Sequence, residues 1–131
     1  HSKIQLRILM ALGSLLQSCP LFPYPELRVR LEPGVYRVPD ILVFEGEDPK
    51  QSVPSSPPLL VIEILSKDDR YLDLMQKLED YQAWGVPNIW VVDPYSRRLS
   101  LYTASGLQNA SSLALADYPF ELTPATLFSD L

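Results

Sequence analysis

The chain has 131 residues, 47% hydrophobic and 21% charged, which predicts one domain with its own core and excludes a disordered chain. Eleven Lys and Arg against sixteen Asp and Glu give a formal charge of −5, which excludes a simple basic nucleic-acid coat. Cys19 is the one cysteine, so neither an internal disulfide framework nor a cysteine-rich zinc site can form, and no apolar run is long enough to span a membrane.

Ile4, Ile8, Ala11, Leu12, Leu15 and Leu16 recur at helical spacing, which predicts an amphipathic helix over residues 1–17, ended by Cys19-Pro20. Pro20, Pro23 and Pro25 read as an extended connector. Leu27, Val29 and Leu31 alternate with Arg28, Arg30 and Glu32, the pattern of a half-buried strand, and Pro33-Gly34 is a turn. A short apolar strand at 41–44 follows Val38-Pro39-Asp40. Residues 45–58 hold four charges and four prolines without apolar periodicity, and read as a surface loop. The nearly uniform apolar run 59–65 predicts a central strand covered on both faces. Ser66 to Asp69 offer N-caps for a helix over 70–84, closed by Gly85. Further strands are expected at 88–92 and 99–102, joined through an Asp93-Pro94-Tyr95-Ser96 turn. Weak edge strands at 113–116 and 118–122 and an apolar anchor at Leu127-Phe128 complete a mixed α/β domain over 1–131.

One residue breaks this pattern. Glu63 interrupts an apolar strand, where a carboxylate is costly to bury without a cation or donors. Asp40 precedes a second apolar strand, and the loop between them is long enough for both carboxylates to converge. Such a pair repels itself unless a divalent cation neutralises it, and hard oxygen ligands suit Mg²⁺. The bland alternatives are a buried ion pair of Glu63 with Arg28, Arg30 or Arg37, and a turn role for Asp40. Lys77 lies on the following helix with Asp73, Asp80 and Trp84 along one side, beside the apolar stripe Leu74, Leu78 and Tyr81. It either points back to the carboxylates or forms a surface pair with Asp73 worth only about 0.3–0.5 kcal/mol. Trp84, Trp90 and Tyr102 read as core, and Asp93 as a turn residue. His1 and Cys19 lack partners for zinc or a nucleophilic triad, and phosphate-binding glycine loops are absent from the sequence.

The segments Arg37-Val38-Pro39-Asp40-Ile41, Val61-Ile62-Glu63-Ile64-Leu65-Ser66, Lys77-x-x-x-Tyr81 and Gly85-Val86-x-x-x-Trp90-Val91-Val92-Asp93-Pro94, in this order and spacing, resemble the Uma-type endonuclease family. That family is placed in the PD-(D/E)xK, restriction-endonuclease-like superfamily. The resemblance implies a mixed β-sheet flanked by α-helices and a phosphodiesterase site using Mg²⁺ or Mn²⁺. It makes Asp40 and Glu63 the metal-binding carboxylates and Lys77 the third catalytic residue. It departs from the superfamily at Leu65, where the lysine is expected, and Lys67 replaces a usual proline. A further acidic motif is expected upstream of His1. The implied setting is a bacterial cytoplasmic enzyme acting on nucleic acid, DNA above all, without a membrane and as a homodimer. The competing class is an interaction module that keeps the fold and a vestigial acidic pocket.

Overall fold

The computed structural model describes residues 1–15 and 17–130. Helix α1 (Ser2–Gly13) is followed by strands β1 (Leu21–Pro25), β2 (Val29–Glu32), β3 (Val35–Arg37), β4 (Ile41–Glu45) and β5 (Leu60–Ile64). Helix α2 (Tyr71–Trp84) leads to β6 (Asn88–Asp93), β7 (Arg98–Thr103), β8 (Gly106–Ala110), β9 (Leu113–Ala114), β10 (Glu121–Leu122) and the short helix α3 (Pro124–Phe128). A six-stranded sheet in the order β1-β4-β5-β6-β7-β8 forms the centre. Only β5 and β6 run parallel, as a strand–helix–strand crossover requires; the other neighbours are antiparallel.

The sheet is mixed and covered on both sides, as the apolar run at 59–65 predicts. Alternate residues of β4 and β5 face opposite ways. Ile41, Val43, Leu60, Ile62 and Ile64 pack with Ile4, Ile8 and Leu12 of α1 and with Leu127 and Phe128 of α3. Leu42, Val61 and Val91 pack instead with Leu74, Leu78 and Tyr81 of α2 and Val29 of the β2–β3 hairpin. Trp90 is core as expected, stacked on Phe120 with ring centroids 6.1 Å apart.

Several local expectations change. The first helix ends at Gly13, short of 17, and Ser14 closes it with a backbone bond to the Met10 carbonyl; Leu16 lies outside the described residues. The proline connector is in part strand β1, paired with β4 from Leu21 to Pro25. Prolines two apart withhold their missing N–H groups on one side, and β1 has an open edge to receive that side. The N-cap of α2 is Arg70, without a side-chain cap bond, while Asp69 turns back to accept from the Ser66 N–H at 2.8 Å. Gly85 does close α2, at φ 110° in left-handed backbone, against Pro57. Strand β8 was not expected from its polar sequence; it pairs antiparallel with β7 at the far sheet edge.

Leu78 is fully buried where α2 meets the sheet, one residue from Lys77. Leu78→Ala should cost about 2–5 kcal/mol of stability, read from the midpoint of urea unfolding.

Candidate active site

The antiparallel register of β4 and β5 pairs Ile41 with Ile62 and Leu42 with Val61. One step further along the same register, Asp40 stands opposite Glu63. Cross-strand partners share a face, so both carboxylates lie on the α2 side of the sheet. Asp40 is fixed from several directions. Its Oδ2 accepts the Ile64 backbone N–H at 2.7 Å, and its own carbonyl accepts Gln5 Nε2 at 2.8 Å and the Glu26 N–H at 3.1 Å. His1 Nε2 lies 3.3 Å from Asp40 Oδ1.

Glu63 is 4% exposed, the most deeply buried charged residue described. Helix α2 delivers two groups to it, one turn apart. Tyr81 donates its hydroxyl to Glu63 Oε2 at 2.9 Å, and Lys77 Nζ stands 3.7 Å from Oε1. The sequence reading assigns Tyr81 to the apolar stripe. Its ring belongs there, but its hydroxyl tip reaches the carboxylate; the four-residue spacing from Lys77 is the available signal. The arginine alternative for Glu63 fails, since Arg37 pairs with Asp80 at 2.6 Å, Arg28 lies over the Tyr36 ring, and Arg30 is exposed without an ion pair to Glu63 among the described residues. The surface-pair alternative for Lys77 fails too, because its ion pair is with Glu63. Asp93 is the turn residue expected, accepting the Tyr95 and Ser96 N–H groups at 2.9 and 3.2 Å.

Burial, and then the charge of Asp40, push the Glu63 carboxyl up to about 7, against the opposing pull of Lys77 and Tyr81. Burial raises Asp40 as well, countered by the Ile64 N–H and Lys77. Burial also lifts the Tyr81 phenol, which therefore stays protonated and remains the donor. A cavity of about 330 Å³ opens beside Glu63 and Lys77, walled by Arg37, Asp69, Arg70 and Asp73. The first turn of α2 borders it, so the positive end of the helix faces the opening.

Among the described residues no group of three or more His, Cys, Asp or Glu is placed to hold a metal ion. That donor set does not suit zinc, which takes four nitrogen or sulfur ligands in structural sites and three protein ligands in catalytic ones. It does fit Mg²⁺ or Mn²⁺: Mg²⁺ commonly takes one or two carboxylates and completes its shell with water and substrate phosphate. Asp40 Oδ1 and the Glu63 carboxylate are the oxygens available, and their mutual repulsion is what a cation relieves.

The sequence model of the Uma2 family, described as "Putative restriction endonuclease", matches residues 1–125. The chain belongs to the Uma2 family. Among solved structures, it is similar to one titled as a putative nuclease belonging to DUF820 from Anabaena variabilis ATCC 29413. The two share 23% sequence identity at a TM-score of 0.77, over 98% of this chain and 80% of the other. At that identity the likeness speaks to fold, and the Uma2 chain has the nuclease-like α/β architecture. A search of curated proteins finds no match. Among the described residues no helix is long and apolar enough to cross a membrane.

The raised Glu63 carboxyl has a consequence for folding. Its folded value of about 7 lies above its ordinary value of 4.5, so the folded state holds the proton more tightly. That contribution is complete below pH 4.5 and is lost as pH rises through 7. Without divalent metal, the melting temperature should therefore fall by several degrees across this window, and Glu63→Gln should flatten the fall. Thermal melts in EDTA across pH check both.

Proposed function

We propose that this Uma2 chain is an endonuclease that hydrolyses phosphodiester bonds in DNA with Mg²⁺ or Mn²⁺ held by Asp40 and Glu63. The observation that carries the reading is that Asp40, held by the Ile64 N–H, neighbours Glu63, and that Glu63 and Lys77 pair at the wall of one cavity, in a chain of this family. A divalent ion, when bound, supplies Lewis-acid charge for activating water and stabilising the phosphate. Asp40 would offer that ion its Oδ1, which His1 Nε2 approaches at 3.3 Å, while the Ile64 N–H holds Oδ2. Tyr81 is a positioning residue: it fixes the rotamer of Glu63 from below, so that the carboxylate faces the cavity.

Lys77 is the remaining catalytic residue. Its side chain is 35% exposed, at the cavity wall, where the ammonium can meet a phosphate oxygen and offset the charge that develops during attack. The N-terminal end of α2 adds a fixed positive dipole on the same side. Both features attract a phosphodiester to a chain whose net charge of −5 otherwise repels it.

Cleavage of single- and double-stranded DNA and RNA in Mg²⁺ and Mn²⁺ tests this reading. Wild type should cleave, Asp40→Asn and Glu63→Gln should be inactive, and Lys77→Ala should lose about 10²–10³ in rate. Calorimetric Mn²⁺ binding should survive Lys77→Ala and disappear in Glu63→Gln. Full activity of Lys77→Ala would overturn its role; no cleavage by wild type would favour a non-enzymatic interaction module.

We also propose a cytoplasmic two-fold homodimer. Its support is exposed apolar surface, with Leu6 at 57%, Met10 at 68% and Tyr95 at 57% exposure. Light scattering at micromolar concentration should give twice the 14.8 kDa chain mass.

A further inference from the structure

The β2–β3 hairpin has two unlike faces. Val29 is fully buried against α2, whereas Arg28 and Arg30 on either side of it are exposed. The register pairs Arg30 with Tyr36, so the outer face carries Arg28, Arg30, Tyr36 and, one step on, Val38. Neither Arg28 nor Arg30 forms an ion pair among the described residues, although acidic side chains outnumber basic ones in this chain. A register shift between Arg30 and Glu32 sets the nearest acidic side chain of the hairpin out of step with the arginines.

These residues form more than a scatter of charge. The Arg28 guanidinium lies 4.3 Å above the Tyr36 ring centroid, which holds its plane while leaving its N–H edge free. The Arg30 backbone N–H donates to the Pro54 carbonyl at 2.9 Å, drawing the 51–55 segment against the hairpin. Between them is a cavity of about 340 Å³ lined by both arginines, Tyr36, Gln51 and Ser55. Two guanidinium groups suit phosphates, the tyrosine ring suits a base face, and the amide and hydroxyl suit base edges. The hairpin also leads straight into the site. Asp40 lies four positions after Tyr36, at most roughly 14 Å of extended chain. At about 3.4 Å per stacked nucleotide, that is some four nucleotides.

We propose that this outer face of the hairpin binds a single-stranded segment of the nucleic-acid substrate and feeds it toward Asp40 and Glu63. The proposal rests on the nuclease reading above. Arg28 and Arg30 hold consecutive phosphates, and Tyr36, 44% exposed, stacks on an unpaired base. A duplex hides its base faces, so single strands are the preferred form.

The test is fluorescence anisotropy with a labelled single-stranded DNA oligonucleotide and its duplex, in EDTA so that binding is read apart from cleavage. Arg28→Ala/Arg30→Ala should weaken single-strand binding at least tenfold and lower the salt slope by about 1.4, two phosphate contacts at roughly 0.7 each. Tyr36→Ala should weaken single-strand binding about tenfold and leave duplex binding unchanged. Melting curves should match wild type, because all three side chains lie outside the core. Unchanged single-strand affinity in the double variant overturns the proposal, as does wild-type binding to duplex equal to single strand with no effect of Tyr36→Ala. Binding of polyglutamate as tight as that of the oligonucleotide overturns it in favour of an acidic protein partner. Failure of cleavage with intact hairpin-dependent binding would remove the catalytic reading and leave the surface standing.

Discussion

The site depends on one register. Antiparallel pairing of β4 with β5 sets Asp40 across from Glu63 on a face otherwise made of Leu42, Val61 and Val91. A slip of one residue would turn Glu63 toward α1 and its wholly apolar layer, where no donor waits. The apolar alternation of both strands thus fixes the carboxylates as firmly as it fixes the core. Once Glu63 faces α2, that helix must answer it. Burying a carboxylate without partners costs several kcal/mol, and Tyr81 and Lys77 meet the need by a hydrogen bond and a charge. The answer is incomplete, as the raised Glu63 carboxyl records.

Charge is arranged locally against the net balance. The chain carries −5 overall, and its cavity mixes Arg37, Arg70 and Lys77 with Glu63, Asp68, Asp69 and Asp73, whereas the outer face of the hairpin holds Arg28 and Arg30 around a cavity with no acidic lining. Arg37 is committed to Asp80, which ties β3 to α2 and so holds the hairpin against the helix that carries Lys77. This one ion pair is half-buried on both sides. Its worth lies in fixing where two elements meet rather than in a large free energy. An acidic chain can approach a polyanion only where such local concentrations outweigh the long-range repulsion within a Debye length, about 8–10 Å at ordinary salt.

The sheet and α2 were legible because their periodicities are strong and their ends are marked. Leu60 to Ile64 is apolar at every position but one, and Gly85 closes α2 with a backbone that favours glycine. Glu63 was legible for the opposite reason, as the residue that violates its strand. Strand β1 was hidden by Pro23 and Pro25, which weaken any strand reading; only the topology reveals an edge that needs no donor there. Strand β8 was hidden because an edge strand with exposed Gln108 and Asn109 carries little apolar signal. Tyr81 was half legible. Periodicity placed its ring in the core but says nothing of where a hydroxyl tip ends, since that depends on how far α2 stands from β5.

The same parity accounts for Leu65 on the strand and Lys77 on the helix. Position 65 continues the series 61, 63, 65, so its side chain starts on the α2 side of the sheet, next to Glu63. Leucine fills it here and packs against the α2 layer. Lys77 enters from the helix and brings its ammonium to 3.7 Å from the carboxylate. A second ammonium from the strand would lie close to that of Lys77 and be repelled by it. With the charge on α2, position 65 is free to seal the helix against the sheet. That arrangement also places the ammonium on a long stem that reaches both Glu63 and the open cavity. In this chain the positive charge beside Glu63 is thus supplied from the facing helix and not from the strand.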